Sequence, residues 1–417
     1  MENKIISPST VHGTIKPPAS KSVMQRAIAI SALAQGTSHL FGYSSSNDSD
    51  AALKIAENLG ATVSVDGEQV TIVGGLKPKT LTLNCGEAGL GIRMFTPIAS
   101  LWHEAITLQG EGSLKKRPVD VLEAPLRQLG VQISTNNGFV PVQVCGPMLG
   151  GYANVDGSLS SQILTGLLIA APYAWKDVIL CVKDLKSKPY IDITLDMMKK
   201  FGVSVGRHDY DSFVIPAEQT YKAQDFCVEG DWSGAAFLLV AAALNGNVTV
   251  ENISMDSCQA DKAIVDALLK VGAKVVINNN SISVAHSQLH AFSFDATECP
   301  DLFPPLVSLA AHCDGATKIQ GVSRLAHKES NRALVLQQEF AKLGTKIDLD
   351  GDTMIIHGGT LQGGKMHANN DHRIAMAGAV AALLAKSSVE IENPECVAKS
   401  YPEFWEDLEK MQKNWWQ

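Results

Sequence analysis

Apolar positions along the chain follow two alternating rhythms. One is helical: Leu122, Leu126 and Leu129 fall at i, i+4 and i+7, as do Ile264, Leu268 and Val271, and Leu336, Phe340 and Leu343. The other is the two-residue alternation of strands, as in VSVDGEQVTIV and VVINNNSISVA. A glycine divides them each time: Gly60, Gly130, Gly202, Gly272 and Gly344 recur at intervals of ~70 residues. Glycine just past the last periodic residue suits a left-handed helix cap. The Asp-Gly and Asn-Asn-Gly tips that follow suit tight turns between strands.

A second series interleaves with the first. It reads SKSVMQRAIAISALA, AGLGIRMFTPIAS, SSQILTGLLIAAP, WSGAAFLLVAAAL, PDLFPPLVSLAA and NDHRIAMAGAVAALLA. These segments are Ala-rich and apolar nearly all round, so buried helices are predicted. Their starts, near Ser22, Gly89, Ser161, Ser233, Asp301 and Asp371, keep the same interval. The chain therefore reads as α/β, with six repeated βαβαββ units of one buried helix, one amphipathic helix and short strands. The sixth unit lacks its hairpin, because the chain ends soon after PEFWEDLEKMQ. The helix-free IISPSTVHGTIK at the N-terminus is expected to complete it. Crossings near Pro17–Pro18 and Glu229–Gly230 give two lobes of three units each, 17–229 and 1–16 plus 230–417, with an active-site cleft expected between them.

Composition narrows the partners. The sequence has 417 residues, 45% hydrophobic and 19% charged, which places it among folded globular chains. With a net charge of −8, binding to nucleic acid is not expected, and an anionic ligand must be drawn in by a local cluster of cations. Eight scattered cysteines form no CxxC pair, which suits reduced thiols in a cytoplasmic protein. No apolar run approaches the ~20 residues that span a bilayer, so no membrane association is expected. The GxxxxGK[ST] and GxSxG motifs are absent, no GxGxxG opens a helix, and no metal-ligand spacing stands out.

Cations at the helix starts carry the chemical signal. Lys21 with Arg26, Arg93, and His372 with Arg373 lie in or just past polar, small-residue turns. Ser233 in the same position reads as a helix cap. A cation there opposes the helix macrodipole, which makes sense if an anion is held by N–H groups and cations together. Several such ends brought together would bind anionic metabolites without metal, redox cofactor or nucleotide.

The segments SKSVMQRA, KKRPVD, DGSLSSQ, SKPYIDIT, KESNR, NDHRIAM and AKSYPEF resemble, in order, the 5-enolpyruvylshikimate-3-phosphate synthase family of enolpyruvyl transferases. The resemblance implies a two-lobed fold of six βαβαββ units and a cofactor-free reaction. In that reaction the enolpyruvyl group of phosphoenolpyruvate passes to the 5-hydroxyl of shikimate 3-phosphate with release of phosphate, on the route to chorismate and aromatic amino acids. It implies that Ser22, Arg26, Ser160, Ser161, Ser187 and Lys328 hold shikimate 3-phosphate, with Tyr190 beside the ring. Lys21 and Gln162 would touch both substrates. Arg117, Arg332, Arg373 and Lys399 would clamp phosphoenolpyruvate, with the backbone of Gly89 against its phosphate. Asp301 would bind the ring hydroxyls and take the 5-hydroxyl proton, and Glu329 with Lys21 would exchange a proton with the methylene carbon. Arg93 is read as packing or setting the field.

Two positions depart from the family pattern. Glu87-Ala88-Gly89-Leu90 stands where the family has Asn-Ala-Gly-Thr, and Arg324 stands where several members have Asn. A carboxylate at Glu87 would repel phosphoenolpyruvate unless turned away or paired, so an altered pocket and an altered response to glyphosate, the family's competitive inhibitor, are expected. Two other readings stand beside this one. A UDP-N-acetylglucosamine enolpyruvyl transferase would carry a reactive cysteine before Arg-Pro-Val-Asp, and QGEGSLKKRPVD has none. A non-catalytic anion-binding protein on the same repeats would be expected to lose Lys21, Asp301, Glu329 or Arg373, and all four are present. A monomer is expected.

Overall fold

At Gly272 the backbone turns left-handed, with φ 96°, and its N–H closes onto the carbonyls of Leu268 and Leu269 at the end of a helix. Gly60, Gly130, Gly202 and Gly344 take the same left-handed turn past a helix end, so five repeats share it, and the strands form six small sheets. The computed structural model describes residues 2–326 and 328–413. Its contacts divide into a continuous unit, Lys21–Val228, and a split unit, Met1–Ser20 with Glu229–Gln417.

The continuous unit contains helices α1 (Lys21–Leu33), α2 (Asn47–Asn58), α3 (Gly89–Ala99), α4 (Glu123–Gln128), α5 (Gln162–Ala170) and α6 (Lys188–Lys200). The split unit contains α7 (Trp232–Asn245), α8 (Ile264–Val271), α9 (Phe303–Ala310), α10 (Arg332–Lys342), α11 (His372–Ala382) and α12 (Phe404–Lys413). The odd-numbered helices α1, α3, α5, α7, α9 and α11 are those of the Ala-rich series and are buried almost throughout. Small residues let them pack closely: a Cβ on Gly166 in α5 would lie 2.4 Å from the carbonyl of Arg93 in α3.

Each repeat builds its sheet in the same way. Thr82–Asn84 runs parallel to Ile106–Gln109, with α3 between them in sequence. Ile106–Gln109 pairs antiparallel with Phe139–Cys145, whose hairpin partner is Gln132–Asn136. The parallel edge strand thus comes from the segment ahead of the buried helix. In the continuous unit, the first sheet takes this strand from the far end of the unit, where Asp225–Cys227 lies parallel to Thr37–Phe41.

The N-terminal segment divides between two sheets. Lys4–Ile6 pairs antiparallel with Val389–Glu392 and fills the place of the hairpin missing from the last repeat. Val11–Ile15 instead runs parallel to Gly246–Glu251, the sheet of the fourth repeat. The expectation that the whole segment completes the last repeat is corrected here. The reason is sheet chemistry: a strand adds only where an edge offers unpaired N–H and C=O groups. The strand ahead of α7, Asp225–Cys227, is already spent on the first repeat, so the fourth takes Val11–Ile15.

Candidate functional site

In the split unit the starts of the buried helices α9 and α11 meet at one side chain. Arg332, 1% exposed at the first position of α10, sends Nη1 to Asp301 Oδ1 at 2.6 Å and Nε to Asp371 Oδ2 at 2.8 Å. Its Nη2 pairs with Glu329, one turn back. Asp301 lies in the 3-10 turn Pro300–Leu302 that leads into α9, and Asp371 caps α11 by accepting the N–H of Arg373 at 3.1 Å. Lys328 Nζ lies 3.1 Å from Asp301 Oδ1, and Arg373 Nη2 lies 3.5 Å from its Oδ2. Lys399, 4% exposed, donates to the carbonyl of Asn370 at 2.6 Å, just ahead of the α11 cap. Lys328, Glu329, Arg332, Asp301, Arg373 and Lys399 are therefore brought together.

The electrostatics of this cluster are lopsided. Burial alone would raise the Asp301 carboxyl, but Arg373, then Lys328 and Arg332, hold it well below the usual carboxylate range. Burial works against the Arg332 cation, and the carboxylates of Asp371, Glu329 and Asp301 outweigh it, so its proton is held more firmly than usual. For Lys328 burial prevails, and its pKa falls despite Asp301. Lys328, Arg332 and Arg373 are thus engaged by the chain's own carboxylates.

The continuous unit builds two linked arrangements. Arg26, in the second turn of α1, is 1% exposed and bridges three helices: Nε to Thr194 Oγ1 at 2.9 Å, Nη2 to Thr165 Oγ1 and to the Tyr190 carbonyl, both at 3.2 Å, and Nη1 to the Ser22 carbonyl at 2.7 Å. Burial lowers its pKa to about 10. Ser187, in a left-handed conformation with φ 57°, precedes α6, and Ser161 precedes α5, with Ser160 Oγ accepting the Gln162 N–H at 3.2 Å. Lys21 opens α1 and pairs with Asp48 Oδ2 at 2.9 Å.

The second arrangement lies at the start of α3. The Arg117 guanidinium lies against Gly89, and a Cβ there would be 2.4 Å from Nη2. Arg117 is 7% exposed, and its Nε and Nη1 have no hydrogen-bond partner among the described residues. A buried, unsatisfied cation at a helix start is costly unless an anion answers it. Arg93 ties this corner to Gln162: Nη1 donates to Gln162 Oε1 at 3.0 Å and to the Gly89 carbonyl at 3.1 Å, and Nη2 to the Pro118 carbonyl at 2.7 Å. Burial, and then the neighbouring Arg117 charge, lower its pKa to about 9.

These motifs match known proteins along nearly the whole chain. A family model described as EPSP synthase (3-phosphoshikimate 1-carboxyvinyltransferase) matches residues 5–408. The chain belongs to the EPSP synthase family. It is 38% identical to the 3-phosphoshikimate 1-carboxyvinyltransferase of Clostridium novyi, over 99% of this chain and 98% of the relative. It is 37% identical to that of Clostridium kluyveri, over 97% and 96%. An EPSP synthase structure from Acinetobacter baumannii superposes with a TM-score of 0.86 at 26% identity, covering 99% of this chain and 98% of that one. The enolpyruvyl transferase NikO from Streptomyces tendae shares the fold, with a TM-score of 0.79 at 18% identity, over 98% and 96% of the two chains. The two-lobed α/β fold of the EPSP synthase family is thus the fold of this chain.

Several contributors were not picked out by sequence reasoning. Arg93 carried the same signal as Arg26, a cation about one turn past a helix start, but was read as packing or setting the field and left out of the substrate contacts. Asp371 and Asp48 are the carboxylate partners of Arg332 and Lys21, and partner choice across distant segments has no local signature. The cap of α7 is Asp231, which accepts the Gly234 N–H at 2.8 Å, whereas the Ser233 hydroxyl donates to Asp261. Glu87 Oε2 accepts the Ser113 N–H at 2.8 Å at the start of the 3-10 helix Gly112–Lys116, so this acid has a local partner.

Proposed function

We propose that this chain transfers the enolpyruvyl group of phosphoenolpyruvate to the 5-hydroxyl of shikimate 3-phosphate, releasing phosphate. The observation that carries this reading is a cationic cluster within each unit, Arg117 on Gly89 in one and the cations around Asp301 in the other, in a chain that matches the EPSP synthase family over residues 5–408. Each substrate brings a carboxylate and a phosphate of about −1.5 to −2 charge, and guanidinium forks match both groups.

In the proposed reaction the 5-hydroxyl oxygen bonds to C2 of phosphoenolpyruvate while its proton passes to Asp301. A proton is added at the methylene C3 by Glu329 and Lys21. Return of a proton from C3 to the group that supplied it then expels phosphate and restores the double bond. Arg117, Arg332, Arg373, Lys399, Gln162 and the Gly89 backbone serve phosphoenolpyruvate. Ser22, Arg26, Ser160, Ser161, Gln162, Ser187, Tyr190, Lys21 and Lys328 serve shikimate 3-phosphate.

The ion pairs around Asp301 give this reaction an order of events. A carboxylate held far below its usual range is a weak base. Incoming anions compete for Arg373, Lys328 and Arg332, and each cation drawn to substrate raises the proton affinity of Asp301. The base is thereby strengthened when substrates are in place, which is when proton transfer is needed.

Glyphosate is proposed to compete with phosphoenolpyruvate. Because Glu87 is engaged by Ser113, the repulsion expected of its carboxylate is reduced.

The test is phosphate release from phosphoenolpyruvate in the presence of shikimate 3-phosphate or of UDP-N-acetylglucosamine. Turnover with shikimate 3-phosphate alone is expected. Turnover only with the sugar nucleotide would transfer the chain to the other enolpyruvyl reaction, and turnover with neither would leave an anion-binding protein.

A further inference from the structure

The split unit holds one more carboxyl behind the Asp301 cluster. Asp261 lies in the 3-10 turn Ala260–Ala263 and is 1% exposed. Its Oδ2 accepts the Ser233 hydroxyl, and its Oδ1 is buried with no hydrogen-bond partner among the described residues. An ionised carboxylate has four lone-pair sites to satisfy, and one hydroxyl is poor compensation for a buried charge. A protonated carboxyl needs far less.

The surroundings point the same way. Asp231 caps α7 from one side, Asp301 lies on the turn into α9, and Arg373 is the cation within electrostatic reach from α11. Cys299 adjoins from the α9 side, its thiol pushed up chiefly by burial. On its own turn, Lys262 is directed to the Met255 carbonyl at 2.8 Å, and Asp266 and Lys270 on α8 are exposed. Burial, and then Asp301, push the Asp261 carboxyl up to about 7, while Arg373 and the Ser233 hydroxyl draw it down.

We propose that Asp261 is a positioning residue for proton transfer at Asp301: it carries its own proton in the ligand-free protein, and its ionisation strengthens Asp301 as a base. This rests on the reading of Asp301 as the group that takes the hydroxyl proton. When Asp261 loses its proton, a second negative charge stands behind the Asp301–Arg373 pair, and the proton affinity of Asp301 rises. When Asp261 keeps its proton, Arg373 is committed to Asp301. No bond to substrate is made or broken by Asp261.

Infrared spectroscopy of the ligand-free protein tests the charge state directly. Wild type is expected to show the carbonyl stretch of a buried protonated carboxyl that fades as pH rises through about 7, and Asp261→Asn is expected to lack it. In Asp301→Asn a neighbouring negative charge is gone, so the midpoint of the band should fall by about one pH unit. The kcat profile of Asp261→Asn should lose its rising limb and fall roughly ten-fold at high pH, with little change in the KM for shikimate 3-phosphate. A wild type without the band, a midpoint unmoved in Asp301→Asn, or a pH profile unchanged in Asp261→Asn overturns the inference. Failure of wild type to turn over overturns the assigned reaction instead, and the two infrared measurements still decide whether Asp261 holds a proton coupled to Asp301.

Discussion

The guanidinium of Arg117 lies where a side chain on Gly89 would begin, with Cζ 2.6 Å and Nη2 2.4 Å from the point a Cβ would take. Gly89 is the first residue of α3, a position open to any residue on backbone grounds. Gly89→Ala should therefore fold normally and act only by displacing Arg117. A shift of about 1 Å in a positioning group can cost up to ~100-fold in rate. The expected outcome is a KM for phosphoenolpyruvate raised at least several-fold, with the KM for shikimate 3-phosphate and the melting temperature nearly unchanged. Steady-state kinetics in each substrate and a thermal melt check it.

Arg93 holds Gln162, Gly89 and Pro118 with one guanidinium. Lysine cannot span three acceptors from one rigid fork. In Arg93→Lys the Pro118 carbonyl or Gln162 is left unsatisfied, at a cost of about 1–3 kcal/mol. Because Gln162 is proposed to touch both substrates, both KM values should rise, in contrast to Gly89→Ala. A denaturant titration and kinetics with each substrate varied separately distinguish the two variants. An effect confined to stability would return Arg93 to a packing role.

The repeat was legible because its signals are local. Glycine at the helix end, hairpin tips such as Asn136-Asn137-Gly138, and the apolar starts near Ser22 and Asp371 are written within a few residues each. The destination of Val11–Ile15 was not, because it depends on which sheet edge remains unpaired after Asp225–Cys227 has been used elsewhere. The candidate site divides along the same line. Lys21, Arg26, Arg93 and Arg373 were visible as charges placed against a helix dipole, whereas Arg117, Lys328, Arg332 and Lys399 were legible only through the family motifs. Their carboxylate partners, Asp48 for Lys21 and Asp371 for Arg332, are fixed only by tertiary approach. Asp261 reads as an ordinary turn aspartate, and only burial makes it unusual.

Asp371 joins stability to the site. It is fully buried, caps α11 and pairs with Arg332, while also accepting the Ser330 hydroxyl at 2.9 Å. Removing one partner of a buried pair strands the other charge and costs about 3–5 kcal/mol. Asp371→Ala should therefore lose roughly that much unfolding free energy and release Arg332 toward Asp301 and Glu329 alone. Equilibrium unfolding in urea measures the loss. A change below about 1 kcal/mol would place the pair in the range of an exposed ion pair.

Asp301 sets the acid limit of the split unit. Its carboxyl is held well below the usual range by Arg373, Lys328 and Arg332, against the opposing effect of burial. A depressed carboxyl contributes stability that is fully present above its unfolded pKa of about 3.9 and is lost as pH falls through the lower folded value. The difference in unfolding free energy between wild type and Asp301→Asn should thus be constant from neutrality down to about pH 5 and shrink steadily below about pH 4. Asp261 acts in the opposite sense: its raised carboxyl favours the folded state below its unfolded pKa, and that advantage is lost as pH rises toward about 7. Asp261→Asn should therefore gain on wild type as pH rises through this window. Urea titrations of both variants across the two windows separate these contributions, and a gap for Asp301→Asn that grew on acidification would show that its ion pairs are not what stabilises the cluster.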